Sequence, residues 1–158
     1  PRPPSPLSPA PSPSPNQLKP KPLGTITMQD FIHSYQELQV YRLAFECSAQ
    51  IFQLSRQFPP EERSLLTRQS LTASRSVCAS IAEAWGKRRY PKAFISKLSD
   101  AQAEAAEMQT WVQIALRCGY LDSEPGQALF GRYRIIFSAL ERLIEDTAVW
   151  VKPIGEGL

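Results

Sequence analysis

Two stretches of this chain place apolar residues at strictly alternating intervals of four and three positions. The first runs Phe94, Leu98, Ala101, Ala105, Met108, Val112, Ala115, and the second Leu129, Tyr133, Ile136, Leu140, Leu143, Thr147, Trp150. With about 100° of rotation per residue, such a series stays on one side of an α-helix, and the side it marks is buried only against other helices. Pro91 opens the first of these helices and Gly119 closes it, as expected of a proline in the first turn and a glycine just past the last. The second runs from about Pro125 to Trp150. These two seams predict an all-α protein, an antiparallel up-down four-helix bundle.

Two earlier helices complete the expectation. One spans about Tyr35 to Phe58 and stops at Pro59-Pro60, and the next begins at Pro60-Glu61-Glu62, where acids suit the positive helix end, and continues to about Gly86. The buried side of this second helix is predicted at Leu66, Ser70, Ala73, Val77, Ile81, Ala84 and Trp85, with enough small residues for a neighbour to come close. The first helix has two apolar faces. Leu38, Tyr41, Phe45, Ala49 and Phe52 fall on one, and Val40, Leu43, Cys47, Ile51, Leu54 and Phe58 on the other. A helix of this kind needs two partners. The bundle supplies one, and the face of Val40, Leu43, Cys47, Ile51 and Leu54 is assigned to a homo-oligomer interface.

The rest of the chain offers little to bury. Ten of its 15 prolines lie between Pro1 and Pro22, so residues 1–27 are expected to be a disordered, polyproline-like extension rather than part of the working domain. Residues 28–151 form the bundle and residues 152–158 a flexible C-terminus. Three widely spaced cysteines, Cys47, Cys78 and Cys118, sit in apolar helical patterns and are expected as reduced core residues, which points to a cytoplasmic setting. No apolar run approaches the roughly 20 residues of a membrane helix, so no membrane partner is expected. His33 is the one histidine, leaving neither a metal-ligand set nor a Cys–His or Ser–His pair. Glu62 and Glu83 are lone helix carboxylates, more simply read as capping or solvated groups than as general bases. Neither enzymatic activity nor a cofactor is expected.

Charge singles out one segment. Residues 28–150 carry 14 Lys and Arg against 14 Asp and Glu, so the excess of +3 belongs mostly to Arg2, Lys19 and Lys21. Any acidic partner must therefore meet a local cluster rather than a long-range field. Lys87, Arg88, Arg89, Lys92 and Lys97 form such a cluster, with Tyr90 among them and no acid between Glu83 and Asp100. The expectation is weak, sequence-tolerant binding of RNA or DNA through Lys87, Arg88, Arg89 and Lys92, extended along the second helix by Arg68 and Arg75. The plainer reading is that these cations complement the helix C-terminus and keep the loop solvated.

Residues scattered over 37–121 carry a resemblance. Glu37-Leu38-Gln39-Val40-Tyr41, Phe58-Pro59-Pro60-Glu61-Glu62-Arg63, Leu66-Thr67-Arg68-Gln69, Ser80-Ile81-Ala82-Glu83-Ala84 and Cys118-Gly119-Tyr120-Leu121 occur in the order and spacing of one family. Phe94, Leu98, Ala101, Glu107 and Thr110 join them on the third helix. Together they resemble the bacterial four-helix-bundle proteins encoded in intervening sequences of large-subunit ribosomal RNA genes. Relatives of that family include the accessory variability determinant of diversity-generating retroelements.

The resemblance implies a bundle assembled as a homopentameric ring, without known enzymatic activity. In the accessory-determinant branch it implies a basic ring associated with a reverse transcriptase and its RNA. This chain departs from the pattern at Leu71 and Thr72, where relatives commonly carry two arginines, and at Ser80 and Ala84, where they carry Asn and Gly. Its neutral domain favours the intervening-sequence branch. Two functions follow as expectations: an oligomeric nucleic-acid-binding adaptor, with a reverse transcriptase as one candidate partner, or a protein-interaction scaffold with no nucleic-acid role.

Overall fold

The computed structural model describes residues 32–151; the proline-rich extension and the C-terminal residues expected to be flexible lie outside that range. Four long helices account for most of it: α1 (Gln39–Leu54), α2 (Leu66–Gly86), α3 (Pro91–Arg117) and α4 (Ser123–Glu145), followed by a single turn, α5 (Thr147–Trp150). Helices adjacent in sequence pack against each other, and α1 closes the arrangement against α4. With connections this short, consecutive helices run antiparallel.

The helix ends differ from the expected ones for local reasons. Tyr35–Glu37 is a separate 3-10 turn whose preceding residue, Ser34, accepts from the Gln36 N–H. Leu38 then takes an extended conformation before α1 starts. Pro60–Glu62 is likewise a 3-10 turn and not the start of α2. Leu65, at φ −113° and ψ −108°, interrupts the helical path, so α2 begins at Leu66. Glu62 bridges the interruption: its Oε2 accepts from the Leu66 N–H at 3.1 Å, and its Oε1 accepts from the Tyr120 hydroxyl at 3.2 Å. One carboxylate thereby satisfies an orphan donor of α2 and ties it to the turn after α3.

That turn depends on Gly119. Its φ of +74° lets the Tyr120 N–H reach the Ala115 carbonyl at 2.8 Å while the Gly119 N–H reaches the Leu116 carbonyl at 3.1 Å. This paired geometry closes a helix and favours glycine at the left-handed position. The predicted fourth helix breaks at Asp146, and the turn of α5 carries Trp150 onto Trp85 of α2, with ring centres 6.5 Å apart.

The core follows the predicted seams. All seven α3 positions from Phe94 to Ala115 are buried, as are Leu129, Tyr133, Ile136 and Leu140 of α4. On α2, Leu66, Ser70, Ala73, Val77, Ile81 and Ala84 are buried and Trp85 half-buried. Small residues on α2 let α1 approach closely, and Ser48 Oγ lies 3.4 Å from Ser74 Oγ across that contact. Three buried polar atoms, Gln50 Oε1, Trp111 Nε1 and Tyr133 Oη, have no protein partner among the described residues.

Two expectations fail at the packing level. Val40, Cys47 and Ile51 are inside the bundle, with Leu43 and Leu54 half-buried at its edge, so the face assigned to an oligomer interface is α1's contribution to the core. On the opposite face Leu38 is buried and Tyr41 half-buried, and only its later part is left in solvent, where Phe45 is 60% and Phe52 44% exposed with Ala49 exposed between them. The cysteines also divide: Cys47 is buried, Cys78 half-buried and Cys118 exposed, because Cys118 caps α3 rather than continuing its seam.

Candidate nucleic-acid interface

Lys87 ends α2, and Lys87 to Tyr90 make the turn into α3, which opens at Pro91. The Lys87 N–H reaches the Ala84 carbonyl at 2.9 Å and the Tyr90 N–H reaches the Lys87 carbonyl at 2.9 Å, so the loop is internally hydrogen-bonded. Lys87, Arg89, Tyr90 and Lys92 are exposed, Tyr90 to 61%. Among the described residues none of these three cations has a carboxylate within 4.0 Å. They are the charges available to a partner.

Arg88 and Lys97 are committed elsewhere. The Arg88 guanidinium sits 3.6 Å from the centre of the Trp85 ring, and its Nη1 donates to the Trp85 carbonyl at 2.6 Å. Burial, and secondarily the charge of Arg89, holds this group below its ordinary pKa. Arg88 is thus half-buried and fixed over the C-terminal turn of α2, where a cation complements the exposed carbonyls. Lys97 Nζ lies 2.8 Å from Glu83 and 3.3 Å from Asp100, which lowers the Glu83 pKa and raises its own. That pair fixes the loop's flank and removes Lys97 from the basic cluster.

Arg68 and Arg75 are exposed on α2 but do not extend the loop. Arg68 is in the first turn of the helix, about 28 Å from Lys87 at 1.5 Å per residue, and the row leading from it reaches the loop through Glu83, already paired with Lys97. The structure therefore brings together Lys87, Arg88, Arg89 and Lys92 and leaves Arg68 and Arg75 apart. It adds aromatic groups that sequence spacing did not connect with the loop. Trp85 lies beneath Arg88 and Trp150 against Trp85, at an interplanar angle of 59°. The break at Asp146 makes that contact, and a continuous fourth helix conceals it from a periodicity argument.

Glu62 and Glu83 are held as a helix cap and a lysine partner. No group of three or more metal-ligating side chains occurs among the described residues, and none of their helices is long and apolar enough to cross a membrane.

Fold and loop together define a small antiparallel helical bundle with three exposed cations, Lys87, Arg89 and Lys92, clustered at one inter-helix turn. The chain belongs to the 23S rRNA-intervening sequence protein family, whose pattern it matches over residues 36–142. A crystal structure of a protein of unknown function from the S23 ribosomal protein family of Bacteroides thetaiotaomicron, determined at 1.70 Å, superposes with a TM-score of 0.61 at 25% identity. That similarity covers 67% of this chain and 95% of the other. No curated protein matches by sequence.

Proposed function

We propose that this protein is a non-enzymatic, oligomeric nucleic-acid-binding adaptor whose contact surface is the α2–α3 loop. The observation that carries the proposal is the loop itself: Lys87, Arg89 and Lys92 are exposed and without carboxylate partners among the described residues, beside an exposed Tyr90. Phosphates supply the complementary charge, and a stackable ring adds contact without base identity. The family's name, taken from an insertion in a ribosomal RNA gene, supports the same class of partner. Since the bundle has no net charge to draw a polyanion from a distance, affinity must come from this cluster and from its repetition in an assembly.

Self-association is the second part of the proposal. Phe45, Ala49 and Phe52 form an exposed apolar stripe along α1, a surface that a homo-oligomer, in this family reading a pentameric ring, would cover. The same stripe is also what a purely protein-interacting scaffold would use, and that is the competing reading. Electrophoretic mobility of a labelled structured RNA separates the two. Wild type is expected to retard it and the triple variant Lys87→Glu, Arg89→Glu, Lys92→Glu to lose most of that binding. Equal retardation by both proteins would replace the adaptor with the scaffold.

A further inference from the structure

A cleft opens at the end of the bundle that carries the basic loop. It lies between the start of α1 and the end of α4, has a volume of about 700 Å³, and is floored by Leu38, Val40, Leu143 and Trp150. That volume falls within the range of small-molecule sites, roughly 300 to 1,000 Å³. Two local breaks create it: the extended Leu38 ahead of α1, and Asp146, where the chain leaves the α4 axis.

Trp150 joins this cleft to the loop. It packs against Trp85, and Trp85 in turn carries the Arg88 guanidinium over its ring. A chain of side-chain contacts thus runs from the loop through the indole pair to the cleft. Two arginines, Arg42 and Arg142, line the cleft as well, and neither has a carboxylate within 4.0 Å among the described residues. Arg42 is partly held by the Gln36 carbonyl, to which its Nε donates at 3.0 Å. Of the two acids present, Glu37 already accepts from the His33 N–H at 3.1 Å, while Asp146 is exposed.

The chemistry selects an occupant that is flat, apolar on its faces, polar at its edge and attached to phosphate. An aliphatic ligand would leave the guanidinium groups unused, and a bare anion would leave the indole and leucine floor unused. A paired base is excluded because its faces are already stacked within the duplex. We propose that the cleft receives one unpaired nucleobase of a bound strand, laid against Trp150, with adjacent phosphates at Arg42 or Arg142 and the backbone continuing to the Lys87–Lys92 loop. The proposal rests on the nucleic-acid reading above and refines it to single-stranded segments, where base–aromatic contact is available.

The test uses the full chain and two labelled single-stranded RNA 12-mers of equal charge, one of adenosines and one with abasic sugars. Fluorescence anisotropy of wild type should show roughly tenfold tighter binding of the adenosine strand, the effect of one base–aromatic stack. Trp150→Ala should cut that preference to what Tyr90 alone supplies, and Trp150→Phe, which keeps a ring in the cleft, should retain more of it. Circular dichroism establishes that each variant is folded, and Arg142→Glu, which removes a phosphate contact and not the base contact, should weaken binding of both strands alike. Equal wild-type affinity for the two strands overturns the cleft proposal, as does a preference that Trp150→Ala leaves at its wild-type value; in either case loop-dependent binding leaves the adaptor reading standing. Absence of wild-type binding to both strands overturns the two together.

Discussion

Arg88 and Trp85 hold each other at the end of α2, guanidinium over indole at 3.6 Å and Nη1 to carbonyl oxygen at 2.6 Å. The most conspicuous arginine of the basic cluster is thereby a structural residue first. Its stacking removes rotamer freedom, and its charge lies where α2 exposes its last carbonyls. Arg88→Ala should lower unfolding stability by about 1 to 2 kcal/mol, the sum of a partly desolvated cation–π contact and a helix-end interaction. Lys87→Ala and Arg89→Ala, both exposed, should stay within about 0.5 kcal/mol of wild type. Urea titrations of the three variants check this, and equal midpoints for all of them would contradict the division of roles within the loop.

The two faces of α1 should respond oppositely to charge. Ile51 is 1% exposed, so Ile51→Glu places an unpaired carboxylate in the core and should unfold the protein. Phe45→Glu with Phe52→Glu alters only the exposed stripe, and should leave the helical circular dichroism and the melting temperature near those of wild type. If the stripe is the assembly surface, sedimentation of that double variant will give monomers where wild type gives an oligomer. A wild-type monomer at micromolar concentration would refute the assembly.

Burial pushes the Cys47 and Cys78 thiols up to about 11 from the ordinary 9.0. For both, the folded state keeps its proton at a pH where the unfolded chain has released it. Stability dependent on the neutral thiols is therefore fully present below about pH 9 and declines as pH rises toward 11. Buried Tyr133, raised further by burial and by both cysteines, extends the decline to higher pH. Urea midpoints measured from pH 7 to 11 should be flat at first and then fall. Thiol-reactive reagent at pH 8 should modify the exposed Cys118 first and the other two only on unfolding. A stability curve that rises between pH 9 and 11, or rapid native labelling of Cys47, would contradict the packing.

Long-range periodicity was sufficient to place the α3 and α4 seams, because residues such as Leu98, Met108, Leu129 and Ile136 repeat over several turns and face one core. It could not choose between the two faces of α1. Val40, Cys47 and Ile51 on one side and Phe45 and Phe52 on the other are equally periodic, and only the positions of α2 and α4 decide which is covered. The breaks at Leu65 and Asp146 were hidden for a different reason: neither falls at a proline or glycine, the residues that mark a helix end in a sequence. The loop charges were legible as a run. Their sorting into Arg88 and Lys97, which are spoken for, and Lys87, Arg89 and Lys92, which are not, required the positions of Trp85 and Glu83.

The salt dependence of RNA binding tests the adaptor function most directly. Each phosphate neutralised by a loop cation contributes roughly −0.7 to −0.9 to the slope of log K against log salt. Anisotropy titrations of a structured RNA should be run from 50 to 300 mM salt for wild type and for the Lys87→Glu, Arg89→Glu, Lys92→Glu variant. The expected result is a steep negative slope for wild type, shallower by roughly 2 to 3 in the variant as three phosphate contacts are lost. Identical slopes for the two proteins, or wild-type binding indifferent to salt, would contradict the assignment of the α2–α3 loop as the nucleic-acid contact.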